Sequence, residues 1–370
     1  MTTAQLGGHA ALVQQLHERG LLDDTWRAVW DAVPREPFIP ARAWRQDADH
    51  CALLTSPERL ALIHSDEPVV IQLDDGTEGG PGIATSSNSQ PSMVAHSLRL
   101  LGVENGARVL EIGTASGYVA ALLSERLGAE LVFSVELDPA LAARAKAALH
   151  AAGYRPNLCC GDGEEGWPEA APFDAVIVTC ALRHIPRAYV DQVQPGGIIV
   201  APLAREFWSG TLVQLTVQCD GTATGRFHGD ASYMPMRAHR AVEGAPVDSR
   251  TARTRRAVLA MPAILHLGFA LYAGTRLPGV RLWHSAGPAG TQVWVQHPDG
   301  SAATAVAGDV WEYGPCDLWA EIERTYRDYV ALGSPDPDQF GLTVSADGDH
   351  MWLRSPEHVI APTLDPLGSR

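Results

Sequence analysis

The stretch Val109-Leu-Glu-Ile-Gly-Thr-Ala-Ser-Gly-Tyr-Val-Ala120 decides how this chain of 370 residues folds. Apolar residues at 108–112 predict a strand, the glycines that follow predict a tight turn, and the Ala- and Leu-rich residues beyond predict a helix. A second apolar run, residues 131–135, predicts another strand and ends at Glu136. This order places a ligand over a helix N-terminus, beside a carboxylate that can accept hydrogen bonds from ribose hydroxyls.

The spacing of the glycines distinguishes between possible ligands. A dinucleotide site has the pattern G-x-G-x-x-G, but Ala115 occupies its third position here. Glu111, Gly113 and Gly117 instead form Glu-x-Gly-x-x-x-Gly, which suits S-adenosylmethionine because this ligand has no pyrophosphate to bind. The spacing therefore predicts a methyl-donor site, with a nicotinamide site and a purely structural turn as the alternatives.

Composition excludes several classes of function. The apolar content of 46 % is sufficient for one large domain and a smaller one, and the net charge of −15 argues against general binding to nucleic acids or anionic membranes. The six cysteines form no C-x-x-C pair, and no His/Cys cluster has zinc spacing, so we expect free thiols and no metal. Neither a signal peptide nor a run of 18 apolar residues is present, which predicts a soluble, cytoplasmic protein.

The regular alternation of apolar segments predicts the fold class. We expect an α/β protein with a Rossmann-like, doubly wound sheet and a small C-terminal α+β domain. The predicted strands of the sheet are 108–112, 131–135, 157–160, 174–179 and 197–201, and the helices between them are 117–127, 139–152 and 186–193. The predicted segments are an N-terminal helical and loop extension (1–82), a donor-binding core (83–242) and the C-terminal domain (243–370).

Outside this sheet the predictions are coarser. Residues 4–33 predict two helices, with Asp24-Thr25 as the cap of the second. Residues 46–82 are polar and predict irregular structure apart from one strand at 68–72. The segments 210–217 and 225–228 predict a hairpin at the edge of the sheet, and 340–344 with 351–353 predict a hairpin in the C-terminal domain.

Candidate site residues follow the ends of the predicted strands, where ligands bind in open α/β sheets. An acid after the third strand can accept the adenine amino group, and the end of the fourth strand lies beside the sulfonium. The proposed cofactor-binding residues are Glu111, Gly113, Thr114, Ala115, Gly117, Tyr118, Glu136, Leu137, Asp162, Gly163 and Thr179. The hydroxyl-rich segment 85–91 is either a carboxylate-binding segment or a polar loop that caps the next helix.

With these residues identified, residues 8–240 resemble the protein-L-isoaspartate O-methyltransferases. Five motifs occur in the family's order. They are Ala32-Val-Pro-Arg-Glu-Pro-Phe-Ile-Pro40, Val109-Leu-Glu-Ile-Gly-Thr-Ala-Ser-Gly-Tyr118, Gly161-Asp-Gly-Glu-Glu-Gly-Trp-Pro168, Pro172-Phe-Asp-Ala-Val-Ile-Val-Thr179 and Val193-Gln-Pro-Gly-Gly197. The resemblance implies a class I methyltransferase fold and S-adenosylmethionine as the methyl donor.

Two departures from the family pattern bear on the substrate. The family signature Ala-Thr-Ile-Ser-Ala-Pro-His-Met reads Ser86-Ser-Asn-Ser-Gln-Pro-Ser-Met93 here, so that Asn88 replaces Ile and Ser92 replaces His. The family also normally ends near the equivalent of residue 240. Both departures resemble a narrower group of methyltransferases that accompany the maturation of ribosomal peptides, namely graspetides made by ATP-grasp macrocyclases, lanthipeptides and lasso peptides.

The narrower resemblance implies methylation of an Asp side chain in a macrocyclised precursor peptide, whose ester then closes to an aspartimide. Ser87, Asn88 and Ser89 would hold the substrate carboxylate, and Ser86, Thr179, Arg183 and His184 would contact the peptide. For Arg183 and His184 the alternative to a contact with the peptide is a purely structural role. A repair enzyme for isoaspartyl residues in damaged proteins and a non-catalytic peptide-binding protein with the same fold remain the rival hypotheses.

Overall fold

The computed structural model describes residues 8–47, 50–240, 247 and 252–363. The chain divides into two compact units. The first contains Met1–Ala181, Ile185–Pro202 and Gln214–Ala223, and the second contains Leu182–His184, Leu203–Val213 and Thr224–Arg370. The sequence-based boundaries after residues 82 and 242 stay predictions, and most of 241–251 lies outside the described residues.

The helices and strands follow one another along the chain in the order expected of an α/β protein. The helices up to residue 192 are α1 (His9–Glu18), α2 (Asp24–Ala32), α3 (Ser56–Ile63), α4 (Pro91–Leu101), α5 (Tyr118–Leu127), α6 (Pro139–Ala151) and α7 (Arg187–Gln192). The strands are β1 (Trp44–Gln46), β2 (Cys51–Leu53), β3 (Val69–Leu73), β4 (Ala84–Asn88), β5 (Val109–Ile112), β6 (Val132–Glu136), β7 (Asn157–Cys160), β8 (Phe173–Val178), β9 (Val193–Arg205), β10 (Trp208–Val217) and β11 (Ala223–Asp230).

The central sheet confirms the predicted fold class. Its strands β7-β6-β5-β8-β9 lie side by side, and each of these pairs is parallel. The chain leaves β5 for β6 and β7 on one side and returns to β8 and β9 on the other, so the switch point lies next to β5. Ligands bind at such a point, beyond the carboxyl ends of the strands. The turn after β5 is therefore in the position that the fold favours for a ligand.

The N-terminal part is more ordered than its composition predicted. Residues 44–88 contain a four-stranded sheet in the order β2-β1-β3-β4. Strand β3 confirms the strand predicted at 68–72, whereas the irregular structure expected over the rest of 46–82 was wrong, because β2 and α3 form there. Helix α3 begins with a capping box, in which the Thr55 hydroxyl and backbone NH face the Glu58 carboxylate. At α2 the cap is Asp23, whose carboxylate accepts from the Trp26 NH, rather than the predicted Asp24-Thr25.

The second unit contains a five-stranded antiparallel sheet. Its elements are β12 (Arg253–Arg256), α8 (Met261–Ile264), α9 (Leu267–Arg276), β13 (Arg281–Gly287), β14 (Gly290–Gln296), β15 (Ala302–Val306), β16 (Asp309–Tyr313) and α10 (Leu318–Ala331). The strand order is β12-β16-β15-β14-β13. Val293, Val295, Ala305 and Val310 on one face are buried, as expected of a sheet that packs one face into a core.

The last hairpin extends the large sheet. Strands β17 (Phe340–Ser345) and β18 (Gly348–Leu353) pair with each other, and β17 is the neighbour of β11 in the nine-stranded order β18-β17-β11-β10-β9-β8-β5-β6-β7. The segments 210–217 and 225–228 were predicted as an edge hairpin, but β11 is not at the edge because β17 pairs with it. None of the helices in the described ranges has both the length and the apolar character needed to cross a bilayer.

Candidate methyl-donor and substrate site

The donor turn, residues 113–117, connects β5 to α5 with three positive φ angles. Gly113 has φ 97°, Ala115 48° and Gly117 83°. Gly113 has a second constraint, because a Cβ at this position would lie 2.7 Å from the Thr179 hydroxyl oxygen. The two glycines therefore meet a backbone requirement, while Ala115 adopts a left-handed conformation that is unfavourable for a residue with a Cβ.

Thr179 locks this turn from the neighbouring strand. It follows β8, and its hydroxyl donates to the carbonyl oxygen of Gly113 at 2.7 Å and lies 3.1 Å from that of Ile112. Thr179 was predicted to line the pocket, and the structure shows that its hydroxyl is already occupied by the donor turn. We therefore assign it to holding the backbone in place, which leaves its predicted contact with substrate as a prediction.

Glu111 ends β5 as a buried acid with one unsatisfied oxygen. Its Oε2 accepts from the Ser134 hydroxyl at 2.6 Å, and Ser134 lies 2.5 Å from the Thr114 hydroxyl. Its Oε1 is buried and has no hydrogen-bond partner within the described structure. Burial, above all, raises the pKa of Glu111 to about 8, and the nearby Glu136 carboxylate contributes to this rise. A cationic ligand group near Oε1 would satisfy this oxygen and favour the ionised carboxylate.

Glu136 at the end of β6 is fixed by main-chain donors. Its Oε2 accepts from the Ala115 NH at 2.7 Å and its Oε1 from the Asp138 NH at 3.0 Å, and the residue is 8 % exposed. Burial raises its pKa, while these hydrogen bonds oppose the rise. The carboxylate thus holds the donor turn and keeps lone pairs for a diol. Beside it, Leu137 is partly exposed, as expected of a side chain that can cover a flat ring.

The segment after β7 is arranged by short local contacts. Asp162 accepts a hydrogen bond from the Glu164 NH at 3.0 Å and thereby caps a single 3₁₀ turn. The carbonyl oxygen of Gly163 accepts from the Tyr189 hydroxyl at 2.8 Å. The Asp162 side chain is exposed, so one carboxylate oxygen stays available for the predicted contact with an adenine amino group.

The hydroxyl-rich segment is a strand rather than a loop. In β4 the side chains alternate, so that Ser86 and Asn88 are buried whereas Ser87 and, just beyond the strand, Ser89 are partly exposed. The hydroxyls of Ser87 and Ser89 make no side-chain hydrogen bond to any residue in the described ranges. Among Ser87, Asn88 and Ser89, only these two serines have partly exposed side chains, and their contact with a substrate carboxylate stays a prediction.

The loop before β4 is closed at its base by one carboxylate. Asp74 accepts from the Gly82 NH and the Ile83 NH, both at 2.8 Å. Strand β4 pairs with β3 through Val70↔Ser87 and Val69↔Asn88, with an irregularity near Gln72. The Asp74 contacts and this pairing together set which residues of β4 face outward.

Besides Ser86, which is buried although it was predicted to contact the peptide, the predicted site residues Asn88 and Tyr118 face the interior. Asn88 is 2 % exposed, and both ends of its carboxamide are hydrogen-bonded to other residues, Arg35 and Ser116. Tyr118 is also buried, with its ring against Trp30 and its hydroxyl directed at the Val33 carbonyl oxygen. Burial raises the pKa of Tyr118 well above its usual value. The side chains of Asn88 and Tyr118 therefore hold neighbouring residues of the site in position and do not line an open pocket.

Arg183 and His184 belong to the second unit, unlike the donor-turn residues. Arg183 forms an ion pair with Glu206, and its backbone NH donates to His239 Nδ1 at 2.9 Å. The rings of His184 and His239 stack with their centres 4.6 Å apart. These contacts account for both residues structurally, and their contact with substrate stays a prediction.

Sequence reasoning missed three residues that build the site. Arg35, Ser116 and Ser134 are all buried polar residues in contact with predicted ones. Ser134 had a recognisable signal, since it is the polar member of an otherwise apolar strand. Arg35 lay within a quoted motif, but its role depends on contacts with residues 28 to 54 positions away along the chain.

The residues present fit S-adenosylmethionine. The unsatisfied oxygen of Glu111 suits a positively charged group, and the Glu136 carboxylate suits a ribose diol. A nicotinamide dinucleotide fits less well, because the turn offers Ala115 where close approach of a pyrophosphate needs glycine.

Comparison with known proteins identifies the family. Residues 8–241 match the model of the family described as Protein-L-isoaspartate(D-aspartate) O-methyltransferase (PCMT). The chain belongs to this family. It is accordingly a carboxyl O-methyltransferase that uses S-adenosylmethionine, as the cofactor and enzyme predictions stated.

Individual relatives agree with this result. The chain is 37 % identical over 228 residues to protein-L-isoaspartate O-methyltransferase 2 of Anaeromyxobacter sp., covering 60 % of this chain and 80 % of the relative. It is 35 % identical over 204 residues to the enzyme of Gloeobacter violaceus, covering 55 % and 85 % respectively.

A solved structure shows how far the fold is shared. A protein-L-isoaspartate O-methyltransferase of known structure matches with a TM-score of 0.56 and 20 % identity, and the match covers 94 % of this chain and 100 % of that one. The likeness in fold therefore extends over nearly the whole length of both chains. The expectation that the extra C-terminal residues distinguish this chain from repair enzymes stays a prediction.

The strained alanine of the donor turn gives a stability prediction. Ala115→Gly removes the Cβ from a backbone with φ 48°, so the variant should be more stable by about 0.5–1 kcal/mol in urea unfolding. Ala147→Gly is the matched control, because Ala147 is exposed within α6, where glycine should cost about 1 kcal/mol. A loss of stability in both variants would show that Ala115 is not strained.

The raised pKa of Glu111 predicts how the stability of the folded protein depends on pH. Because its pKa of about 8 in the folded protein exceeds its ordinary value of 4.5, the folded state keeps a proton that the unfolded chain has lost between these pH values. Stability of the ligand-free protein should therefore fall as pH rises from about 5 to 8.

Glu111→Gln should remove the part of this pH-dependent loss of stability that comes from Glu111, since the amide does not ionise. The measurement is the Tm of the wild type and the variant at several values between pH 5 and 8, and the Tm advantage of the variant should grow with pH. Glu104→Gln, at an exposed position, is the control and should follow the wild type. Parallel curves for all three proteins would contradict the assignment.

Proposed function

We propose that this protein methylates the free carboxylate of an isoaspartyl residue in proteins or peptides. The observation that carries the proposal is the partial exposure of Ser87 on β4 and of Ser89 just beyond it, on either side of the buried Asn88 that is hydrogen-bonded to the donor turn. The relatives from Anaeromyxobacter and Gloeobacter, matched over four fifths or more of their length, bear the name of this activity.

For this reaction the protein needs mainly to align the substrate carboxylate with the methyl group of the donor. A carboxylate with a pKa of about 4 is ionised at neutral pH, so no general base is needed. S-adenosylmethionine, when bound, supplies an electrophilic methyl group. The hydroxyls of Ser87 and Ser89 would orient the carboxylate by neutral hydrogen bonds, which leave its oxygen more nucleophilic than an arginine clamp would.

The ester then closes without further catalysis. The backbone nitrogen of the following residue attacks the ester carbonyl, a C–N bond forms, and methoxide leaves and takes up the N–H proton as methanol. The product is a five-membered succinimide. An isoaspartyl residue and an aspartyl residue give the same ring, so the reaction alone does not distinguish them.

A second candidate is methylation of an Asp side chain in a macrocyclised ribosomal peptide, with closure to an aspartimide. The specific observation in its favour is the altered signature, since Asn88 and Ser92 replace Ile and His in the segment that faces the substrate. Ser92 is buried in the first turn of α4, where its backbone NH donates to the Asp66 carboxylate.

Recognition of the peptide by the second unit is a further part of this candidate. Cross-strand partners Trp283, Trp294, Thr304 and Trp311 form one row across the five-stranded sheet, on the face opposite its core. Trp283 is 41 % exposed and lies under Arg281, whose guanidinium carbon is 5.6 Å from the ring centre. Exposed tryptophans are typical of binding surfaces. Deleting residues 243–370 would test this poorly, because β17 pairs beside β11, so Trp283→Ala is the better variant.

Mass spectrometry with two peptides distinguishes the candidates. The protein and S-adenosylmethionine are incubated with a linear isoaspartyl peptide and, separately, with an Asp-containing peptide macrocyclised by an ATP-grasp ligase. We expect a gain of one methyl group on the isoaspartyl peptide, followed by loss of methanol. Modification of the macrocycle alone would establish the second candidate, and modification of neither would contradict both.

Single variants should separate donor binding from methyl transfer. Ser89→Ala should lower the rate of methyl transfer by roughly tenfold or more while donor affinity is unchanged, because only the substrate carboxylate loses a hydrogen bond. Glu136→Ala should chiefly weaken donor binding, measured by calorimetry. Equal loss of donor binding in Ser89→Ala, or unchanged affinity in Glu136→Ala, would show that the two roles are misassigned.

A further inference from the structure

The substrate strand and the donor turn are joined by one buried carboxamide. Asn88 Oδ1 accepts from Arg35 Nε at 2.5 Å, and Asn88 Nδ2 donates to the Ser116 hydroxyl oxygen at 2.9 Å. Asn88 and Ser116 are 2 % and 8 % exposed, so water does not compete freely for either bond. The side chain therefore connects β4 to the turn that holds the donor.

Arg35 anchors the same strand through its main chain. Its Nη2 lies 3.0 Å from the carbonyl oxygens of both Asn88 and Ser89, and 2.9 Å from that of Glu67. Its Nη1 faces the carbonyl oxygens of Ile63 and Ser65. A fully buried guanidinium demands such partners, because an unsatisfied charged donor in the interior is costly. The end of β4 is thus held at its side chain and at two carbonyls.

Ser116 occupies the corresponding position in the donor turn. It lies between Ala115 and Gly117, and its hydroxyl oxygen is also 3.4 Å from the Tyr118 NH at the start of α5. A shift of the donor turn would therefore disturb the Ser116–Asn88 bond, and a shift of Asn88 would disturb the turn. Isoleucine, the residue of the family signature, has neither a donor nor an acceptor at its tip and would leave the two elements unconnected.

We propose that Asn88 is a positioning residue that couples the donor turn to the substrate strand, so that binding of the donor orders Ser87 and Ser89 before the peptide arrives. Asn88 itself does not touch the carboxylate, because both ends of its carboxamide are engaged. The proposal rests on the proposed function in one respect, namely that residues 87 and 89 face the substrate.

The first test is hydrogen exchange measured by mass spectrometry, with S-adenosylhomocysteine as the probe. In the wild type, the probe should slow amide exchange in residues 113–117 and also in residues 86–89. In Asn88→Leu, which keeps the branched shape of the side chain and removes both hydrogen bonds, the slowing should be confined to residues 113–117. Slowed exchange in 86–89 that persists in Asn88→Leu would overturn the proposal.

Three further variants test whether the effect is specific rather than a general loss of structure. Ser116→Ala removes the partner of Asn88 and should lose the effect on residues 86–89, whereas Ser116→Thr keeps a hydroxyl and should retain it. Gln214→Leu is the control, because this amide also donates within the first unit but to Leu100, at the far end of α4. Loss of the effect in Gln214→Leu as well would contradict a specific role for Asn88.

Kinetics provide an independent readout. With a peptide that the wild type methylates, Asn88→Leu should lower kcat by about 10- to 100-fold while the Kd of S-adenosylhomocysteine changes by less than about twofold. The double variant Asn88→Leu/Ser116→Ala should be no slower than Asn88→Leu, and multiplied losses would contradict the coupling. Hydrogen exchange needs no peptide, so failure to methylate either test peptide would affect the proposed function alone.

Discussion

A single buried guanidinium constrains the substrate half of the site. Arg35 has no exposed surface, and burial lowers its pKa to about 10. Because a buried charge requires oriented partners, five main-chain carbonyls must point at it, from the segments 63–67 and 88–89. Those carbonyls fix the paths of the segments that carry them. Arg35 therefore contributes, together with the pairing of β4 with β3, to the direction in which Ser87 and Ser89 point.

The donor half of the site is fixed by the conformation of its backbone rather than by a buried charge. Its geometry comes from backbone conformation, with positive φ angles at Gly113, Ala115 and Gly117 held by Thr179 and Glu136. Such a turn can be recognised locally, and the sequence predicted the strands and helices around it to within one or two residues.

The substrate half was harder to predict for a physical reason. Strand β4 consists of Ala, Thr, Ser and Asn, which carry no apolar alternation, so the sequence indicated a polar loop. Its burial pattern becomes intelligible only when Arg35, 53 residues earlier, is placed beside Asn88. Asn88 was accordingly predicted to bind substrate, although the fold turns it inward. A buried polar pair distant in sequence leaves no periodic signal for pattern reasoning to detect.

The hydrogen bonds of Asp74 that close the loop before β4 have a consequence for which changes in chain length the protein tolerates. The Asp74 carboxylate binds the backbone NH groups of Gly82 and Ile83 and so joins the two ends of the loop. The number of residues between Asp74 and Gly82 can therefore change without displacing β4. A slip of one residue in β4 would instead exchange the outward serines for Ser86 and Asn88. Insertions or deletions within 77–81 should therefore leave the positions of Ser87 and Ser89 unchanged.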